Sequence, residues 1–256
     1  MGTGSRHCRV DRQLTRERFE VEKDTERFNF YLTPPHECSY LPEQQARTVF
    51  VDPKALITSS SYTRLMAQGF RRSGGHLYRP HCGACQACIP TRVPVSTFVP
   101  RRSQRRVLRA NEDLRVTVEP AQYAEEIYGL YARYIAARHD DGDMYPPTPD
   151  QFRNFLLPAW GDTEFLTLWK GDEPVCVAVT DRLGDGLSAV YTFFDPELDD
   201  RSLGARAILG QIDLANARGL DWLYLGYWIR DCRKMRYKID YRPIEMFVNG
   251  VWVRVH

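Results

Sequence analysis

The sequence has little lysine and no long apolar run. Only five of its 35 basic side chains are lysines, and the remaining 30 are arginines. No stretch of about 18 apolar residues occurs, and the first residues lack the apolar core of a signal segment. These absences predict neither membrane insertion nor secretion, so we expect a cytoplasmic protein with no membrane partner.

The cysteines do not form the pattern of a disulfide framework, because their number is odd, at seven, and no export signal is present. Cys82, Cys85 and Cys88 follow one another at a spacing of three residues on a Pro/Gly-rich turn, and Cys38 can supply a fourth sulfur. Thiolates at this spacing can bind zinc or an iron-sulfur cluster. Redox sensing and purely structural thiols are the alternatives that the spacing leaves open.

Three segments follow from composition. Residues 1–27 are a polar lead-in, residues 28–110 form a small N-terminal module that contains the clustered cysteines, and residues 111–256 carry longer regular elements. At 43% hydrophobic and 12% aromatic residues, the chain is expected to fold into one large or two small domains.

The second half of the chain predicts alternating helices and strands. The predicted elements are helices over 121–139, from Thr148 onward and over 202–218, strands over 164–170, 175–183, 187–194 and 222–226, and a closing hairpin over 245–255. Thr148-Pro149-Asp150-Gln151 is a capping box, and Asn249-Gly250 is a hairpin turn. This order predicts an α+β fold with a GNAT-like acyltransferase core, an antiparallel or mixed sheet flanked by helices.

A GNAT-type N-acyltransferase that uses acyl-CoA is therefore one alternative. In that fold the helix after the meander points its N-terminus at the acyl donor. Residues 195–204 contain four carboxylates and lack a glycine-rich pyrophosphate loop, which counts against coenzyme A. A non-catalytic zinc-ribbon nucleic-acid module fused to a folded domain is a further alternative.

Seven short strings, in order along about residues 28 to 253, closely resemble the aminoacyl-tRNA-protein transferase family, in particular its bacterial branch that adds leucine to proteins beginning with Asp or Glu. They are HECSYL at 36–41, GFRRSG at 69–74, YRP at 78–80 before the cysteine cluster, YTFFDP at 191–196, SLG at 202–204, YLGYWI at 224–229 and KMRYK at 234–238.

The resemblance implies transfer of leucine from leucyl-tRNA to the α-amino group of an N-terminal Asp or Glu, which marks the protein for N-degron proteolysis. Arginine from arginyl-tRNA remains a possible donor. Because the aminoacyl ester is already activated, no cofactor is required for the transfer chemistry.

The candidate catalytic residues lie where the third strand, the central helix and the following strand should converge. They are Tyr191, Asp195, Ser202, Tyr227 and Lys234. Asp195 is expected to hold the acceptor ammonium, and a hydroxyl or main-chain N–H to stabilise the oxyanion. An ordinary Asp-Pro turn for Asp195, and core packing for the two tyrosines, are the alternatives.

The acidic side chain of the acceptor needs a cation, and a guanidinium binds a carboxylate through two hydrogen bonds. Arg71, Arg72 and Arg79 are the candidates. A second group of arginines is assigned to the tRNA backbone, with a solvated helix face as the alternative. These residues are Arg101, Arg102, Arg105, Arg106 and Arg109.

Overall fold

A computed structural model describes residues 15–17, 27–142 and 144–255. Most of the predicted lead-in, residues 1–27, lies outside the described residues. The described helices are α1 (Ser59–Ala67), α2 (Arg102–Ala110), α3 (Glu125–Arg138), α4 (Pro149–Leu156) and α5 (Leu203–Ala217). The described strands are β1 (Thr15–Glu17), β2 (Phe30–Leu32), β3 (His36–Glu37), β4 (Gln45–Ala46), β5 (Thr48–Val51), β6 (Arg71–Ser73), β7 (His76–Pro80), β8 (Ile89–Pro94), β9 (Arg115–Pro120), β10 (Thr163–Lys170), β11 (Glu173–Arg182), β12 (Gly186–Phe194), β13 (Trp222–Trp228), β14 (Ile244–Val248) and β15 (Val251–Val255).

A large mixed sheet forms the centre of the second half. Its strand order is β15-β14-β8-β13-β12-β11-β10-β9, and every neighbouring pair is antiparallel except β12 and β13, which are parallel. The predicted meander is confirmed as β10-β11-β12, and the predicted hairpin as β14-β15. The α+β class, with a large sheet flanked by helices, is also confirmed.

Both faces of this sheet are covered, because side chains of a strand alternate between its faces. On β11, Val177 and Val179 belong to the apolar cluster that includes α3 and α4. Cys176 and Ala178 instead pack with the first turns of α5. Strand β11 is therefore buried on both sides, which explains its nearly continuous apolar sequence.

Local sequence determines where the helices begin. Helix α4 begins after the predicted capping box, in which the amide of Gln151 donates to Thr148 Oγ1 at 3.2 Å. Helix α1 begins with a capping box of Thr58 and Ser61. Gly219, with φ of +67°, lies just beyond the end of α5, as predicted from the preference for glycine after a helix.

The parallel strands β12 and β13 are paired only at their beginnings. Gly186–Ser188 pairs with Trp222–Tyr224, whereas the two strands continue unpaired to Phe194 and Trp228. The sheet therefore opens between their carboxyl ends. We call this opening the strand wedge; in open sheets, the carboxyl ends of parallel strands are the usual place for a ligand.

A smaller sheet, of order β1-β2-β5-β7-β6, packs on α1. The cysteine loop, residues 81–88, joins β7 of this sheet to β8 of the large sheet. Because β8 lies between β13 and β14, part of segment 28–110 belongs to the large sheet. The boundary at residue 110 stays a prediction.

In the part of the chain that the structure describes, no helix is both long enough and apolar enough to span a membrane.

Candidate functional site

Arg71 is a buried cation next to Gly226 of β13, one of the two strands that border the strand wedge. Its side chain leaves β6, and the residue is 7% exposed. Nη1 lies 4.0 Å from Met66 Sδ, and Nη2 is buried without a hydrogen-bond partner. Because leaving a buried charged donor unpaired is costly, this guanidinium is expected to receive an anion from outside the chain.

Gly226 provides the space for this guanidinium. Its φ is +90°, a conformation that favours glycine, and it lies at an irregularity in the pairing of β13 with β8. A Cβ at this position would lie 3.3 Å from Arg71 Nη2 and 3.5 Å from Nε. The missing side chain therefore allows the guanidinium to lie against the backbone of β13.

Lys238 is a second buried cation near Arg71. It is 4% exposed, and the polar contact of its Nζ is Met235 Sδ at 3.3 Å. Burial lowers the pKa of Lys238 to about 7, with a further decrease from the charge of Arg71 and an opposing effect of Cys232. Among the described residues, neither Lys238 nor Arg71 forms an ion pair with an acidic side chain.

Tyrosine side chains surround Arg71. Burial lowers the pKa of Arg71, and the hydroxyl groups of Tyr227, Tyr62, Tyr78 and Tyr224 offset part of this decrease. Partial burial raises the pKa of Tyr237, with a smaller increase from Tyr134 and a smaller decrease from Arg71, although 43% of the residue is exposed. Tyr237 is therefore close to Arg71 and to Tyr134 of α3.

Arg72, the next residue of β6, is fully engaged within the protein. Its Nε and Nη2 donate to Asp181 Oδ2 and Oδ1 at 2.7 and 3.0 Å, and its Nη1 donates to the carbonyls of Gly74 and Phe155. The ion pair is fully buried and joins the small sheet to β11. Arg72 is thus not free to bind a substrate carboxylate.

Arg79 is half-buried, with Nη1 donating to the carbonyl of Gln68 at 2.9 Å and its guanidinium 5.0 Å from the ring centre of Phe70. Burial lowers its pKa, and Tyr227 opposes this effect. It lies beside the Arg71 site, with its other guanidinium nitrogens left for a ligand.

Two of the predicted catalytic residues have local structural roles. Asp195 caps the 3-10 turn Pro196–Arg201, with Oδ1 accepting from the amide of Glu197 at 3.0 Å and Oδ2 lying 3.8 Å from Arg133 Nη2. Ser202 has left-handed φ and ψ of 53° and 46° at the start of α5. Asp195 therefore caps the turn that follows it, and its role toward the acceptor ammonium stays a prediction.

The other three candidates lie in different surroundings. The hydroxyl of Tyr227 is 3.0 Å from the carbonyl of Gly69 and 3.2 Å from that of Tyr78, within the core beside Arg71. Tyr191 contacts Phe155 and Tyr134, and its hydroxyl is buried without a partner. Lys234 is exposed. Tyr191 and Asp195 both lie against α3, through Tyr134 and Arg133, whereas Tyr227 lies in the core beside Arg71.

Two family models match the chain: "Arginine-tRNA-protein transferase, N terminus" over residues 36–106 and "Arginine-tRNA-protein transferase, C terminus" over residues 126–248. The chain belongs to the arginine-tRNA-protein transferase family. The aminoacyl-tRNA-protein transferase predicted from the sequence strings is therefore confirmed as its enzyme family.

Relatives within the family cover nearly the whole chain, and those named here are called "Aspartate/glutamate leucyltransferase". The protein of Alcanivorax borkumensis is 54% identical over 90% of this chain and 95% of its own length. That of Hahella chejuensis is 54% identical over 88% and 97%, and that of Pseudomonas aeruginosa PAO1 is 53% identical over 89% and 97%.

A solved C-terminal domain of a putative lysylphosphatidylglycerol synthetase from Agrobacterium fabrum aligns with a TM-score of 0.44 and 13% identity, over 57% of this chain and 47% of that one. This similarity is too low to show that the two chains share a fold.

The arginines that the family resemblance assigned to tRNA lie at and along α2. Arg101 precedes the helix and pairs with Asp240 at 3.1 Å, and the four others are exposed on the helix surface. Exposed arginines of this kind fit both a solvated helix face and a phosphate-binding surface. Their role therefore stays a prediction.

The thiols predicted as metal ligands gather around Cys88. Burial raises the pKa of Cys88 to about 12, and Cys38, Cys82, Cys85 and Cys232 raise it further. Cys232 thus joins the four predicted thiols from the segment after β13. All of these cysteines are free.

In residues 27–142 and 144–255, however, no three His, Cys, Asp or Glu side chains are arranged to hold a metal ion. No step of the reaction is assigned to a metal or cluster, and zinc or iron-sulfur binding stays a prediction.

Elemental analysis of protein purified without oxygen would check that prediction. Near-stoichiometric zinc or iron that is lost in Cys85→Ser is the expected result for a binding site. Protein that is active, and equally free of metal with or without this substitution, would contradict it.

Sequence reasoning missed Lys238. The KMRYK string at 234–238 contains two lysines, and the prediction named the first of them, Lys234. Lys234 is exposed, whereas the buried amine belongs to Lys238, four residues further along. The 3-10 turn Arg236–Asp240 directs Lys238 inward. This turn was not predicted from the sequence, so the burial of Lys238 was not predicted either.

Proposed function

We propose that the chain transfers leucine from leucyl-tRNA to the α-amino group of proteins that begin with Asp or Glu, marking them for N-degron proteolysis. The relatives' name, aspartate/glutamate leucyltransferase, supports this donor and these acceptors. The structural observation that carries the proposal is the buried guanidinium of Arg71, which has no anionic partner among the described residues.

The acidic side chain of the acceptor supplies that partner. A carboxylate next to Arg71 Nη2 would satisfy the unpaired donor and offset the positive charge of the neighbouring buried groups Arg71 and Lys238. An Asn or Gln side chain has similar shape but no charge, so it would leave both cations uncompensated. Specificity for an acidic N-terminus follows from this difference.

The reaction requires positioning more than chemical activation. The neutral α-amine attacks the ester carbonyl of leucyl-tRNA, an amide bond forms, the ester bond breaks, and the ribose hydroxyl leaves with the proton that the amine loses. An α-amino group with a pKa of about 7.7–8.0 is partly neutral at pH 7, so proximity can provide much of the acceleration. No cofactor is needed for these steps.

Of the five candidate catalytic residues, Tyr191 retains an uncommitted hydroxyl. It is buried and has no hydrogen-bond partner, whereas the Tyr227 hydroxyl and the Asp195 carboxylate are already engaged. Tyr134 contacts Tyr191 at 6.3 Å between ring centres and also lies near Tyr237, which connects Tyr191 to the Arg71 site. We propose Tyr191 as the donor to the oxyanion of the tetrahedral intermediate.

The core that supports this site is proposed to be GNAT-like. An antiparallel meander, a crossing helix and a parallel strand that separates from its neighbour create the strand wedge, where an acyl donor and an amine can meet. The Cys-containing segment 28–110 is proposed to act as an acceptor module, since it supplies Arg71 and Arg79.

A transfer assay tests the function. Purified protein is incubated with tRNA charged with labelled leucine or arginine and with peptides that differ only in their first residue: Asp, Asn, Glu or Gln. Label from leucine on the Asp and Glu peptides alone is expected. Label from arginine would reassign the donor, and label on none of the peptides would overturn the proposal.

The acyl-CoA alternative has a separate test. The turn before α5 contains no glycine-rich loop, although two of its carboxylates, Asp195 and Asp199, are paired with Arg133 and Arg138. We expect no binding of coenzyme A by calorimetry at millimolar concentration, and micromolar binding would favour the alternative.

The acceptor preference should depend on pH through Lys238. Its pKa of about 7 in the free protein should rise when a carboxylate binds, so binding is coupled to proton uptake. The affinity for an Asp peptide relative to an Asn peptide is therefore highest below pH 7 and falls above it, by up to about tenfold for each pH unit. Peptide binding without tRNA, measured from pH 6 to 9, checks this.

Lys238→Met provides the matched control. The ratio of Asp to Asn affinities cancels the titration of the peptide's own α-amino group, and in this variant the ratio should not change with pH. Removing a buried cation should also make the variant more stable, by about 1–4 kcal/mol. A pH-independent ratio in the unmodified protein would contradict the role of Lys238.

A further inference from the structure

An open cleft lies next to the Arg71 site, on the segment that follows β13. Its volume is about 520 Å³, within the range of about 300–1,000 Å³ that is usual for ligand sites. The residues that line it are Trp228, Arg230, Arg233, Arg236, Tyr237, Ile239 and Asp240. We call it the arginine cleft.

The arginines of this cleft are available to a ligand. Arg230, Arg233 and Arg236 are all exposed, and none forms an ion pair in the part of the chain that the structure describes. The one carboxylate of the lining, that of Asp240, is paired with Arg101 at 3.1 Å. The cleft therefore presents a net positive surface.

Aromatic rings accompany these cations. The indole Nε1 of Trp228 donates to the carbonyl of Arg236 at 3.2 Å, and Arg230 lies 6.0 Å from the centre of the indole ring. Tyr237 lines the same cleft. Guanidinium groups beside aromatic rings are the combination that binds single-stranded nucleic acid, through phosphates and stacked bases.

The lining of the cleft continues directly into the buried residue Lys238. Tyr237 lines the cleft while the next residue, Lys238, is buried near Arg71. A chain bound in the cleft would therefore lie one residue along the backbone from the buried amine of Lys238. Asp240, also in the lining, pairs with Arg101, which leads into the arginine-rich surface of α2.

We infer that the arginine cleft binds the single-stranded 3′ end of the donor tRNA and directs the aminoacyl ester to the Arg71 site. This inference rests on the proposed function. It assigns the contacts of the 3′ end to Trp228, Arg230, Arg233 and Arg236, and leaves the double-stranded part of the tRNA to the surface of α2.

The test is a comparison of two RNAs and three proteins. Uncharged leucine tRNA, intact or trimmed of its single-stranded 3′ end, is bound to the unmodified protein, to Arg230→Gln/Arg233→Gln/Arg236→Gln, and to Arg105→Gln/Arg106→Gln/Arg109→Gln. The two triple variants lose the same charge, so general electrostatic attraction falls equally in both.

Trimming should weaken binding to the unmodified protein and to the α2 variant, but not to the cleft variant, because the cleft variant has already lost that contact. For intact tRNA, the slope of log affinity against log salt should be smaller by about 2 in the cleft variant, at about 0.7 for each lost phosphate contact. Trp228→Ala should weaken intact tRNA by roughly 5- to 100-fold, with Trp228→Phe retaining much of the affinity.

The outcomes separate the inference from the proposed function. If trimming weakens binding to the cleft variant as much as to the unmodified protein, the inference is wrong, even when leucyl transfer is intact. If the unmodified protein binds no tRNA and transfers no leucine, the proposed function fails as well. Unchanged binding of an Asp peptide shows that each variant is folded.

Discussion

Arg71→Met is expected to reduce kcat/KM for an Asp peptide by about 10²- to 10³-fold and to bring it down to the value for an Asn peptide. The guanidinium is buried, so its contact with a carboxylate is not screened by water, and loss of one member of such a pair costs about 2–5 kcal/mol of binding. Transfer assays with both peptides at saturating leucyl-tRNA measure this change.

The variant should fold normally, which makes the kinetic effect interpretable. In the free protein Arg71 Nη2 has no hydrogen-bond partner, so its removal breaks no ion pair among the described residues. Methionine fills a similar volume beside Met66 and Gly226. We expect a midpoint of thermal unfolding equal to or above that of the unmodified protein.

Two controls show whether Arg71→Met affects recognition of the acceptor peptide rather than of leucyl-tRNA. The KM for leucyl-tRNA should be unchanged in Arg71→Met, since the donor binds elsewhere. Arg71→Lys should recover only part of the activity, because an ammonium cannot form the paired hydrogen bonds of a guanidinium. An Asp-to-Asn ratio that is the same in Arg71→Met and in the unmodified protein would show that another group recognises the acidic side chain.

Much of the second half of the fold was predictable from local signals. The capping box at Thr148, the glycine after α5 and the Asn249-Gly250 turn each act within a few residues, and each lies where it was predicted. The alternation of apolar residues gave the strands of the meander to within about two residues.

The site was less predictable, because it depends on contacts between distant segments. Arg71 and Arg72 are adjacent and of one residue type, so no local signal distinguishes them. On β6 their side chains point to opposite faces, one toward Gly226 and the other toward Asp181. Only the packing of the small sheet on the large one distinguishes a ligand-binding arginine from a structural one.

The surroundings of the catalytic candidates were hidden for a similar reason. Asp195 follows a strand, as catalytic carboxylates often do, but the proline after it makes the same side chain an effective cap for the turn. Lys238 is distinguished from the other lysines only by its burial in the fold, because from sequence alone every lysine is expected to be charged and solvated. Long-range packing therefore defines the site.

Arg72→Met is expected to lower the free energy of unfolding by about 3–5 kcal/mol, the usual cost of leaving one member of a buried ion pair without its partner. Among the described side chains, Asp181 would then accept only from Tyr62 at 2.6 Å and Thr163 at 2.7 Å. Urea unfolding followed by tryptophan fluorescence measures the change.

A second substitution shows whether the unpaired charge of Asp181 causes the loss of stability. In Arg72→Met/Asp181→Asn the negative charge is absent. The amide oxygen can still accept from one of the two hydroxyl groups, and the amide nitrogen can donate to the oxygen of the other. This double variant should recover a large part of the lost stability. Recovery of stability together with an unchanged preference for Asp over Asn peptides would establish that Arg72 holds the two sheets together and that Arg71, not Arg72, recognises the acidic side chain. A single Arg72→Met variant that unfolds like the unmodified protein, but no longer distinguishes these peptides, would reverse the two assignments.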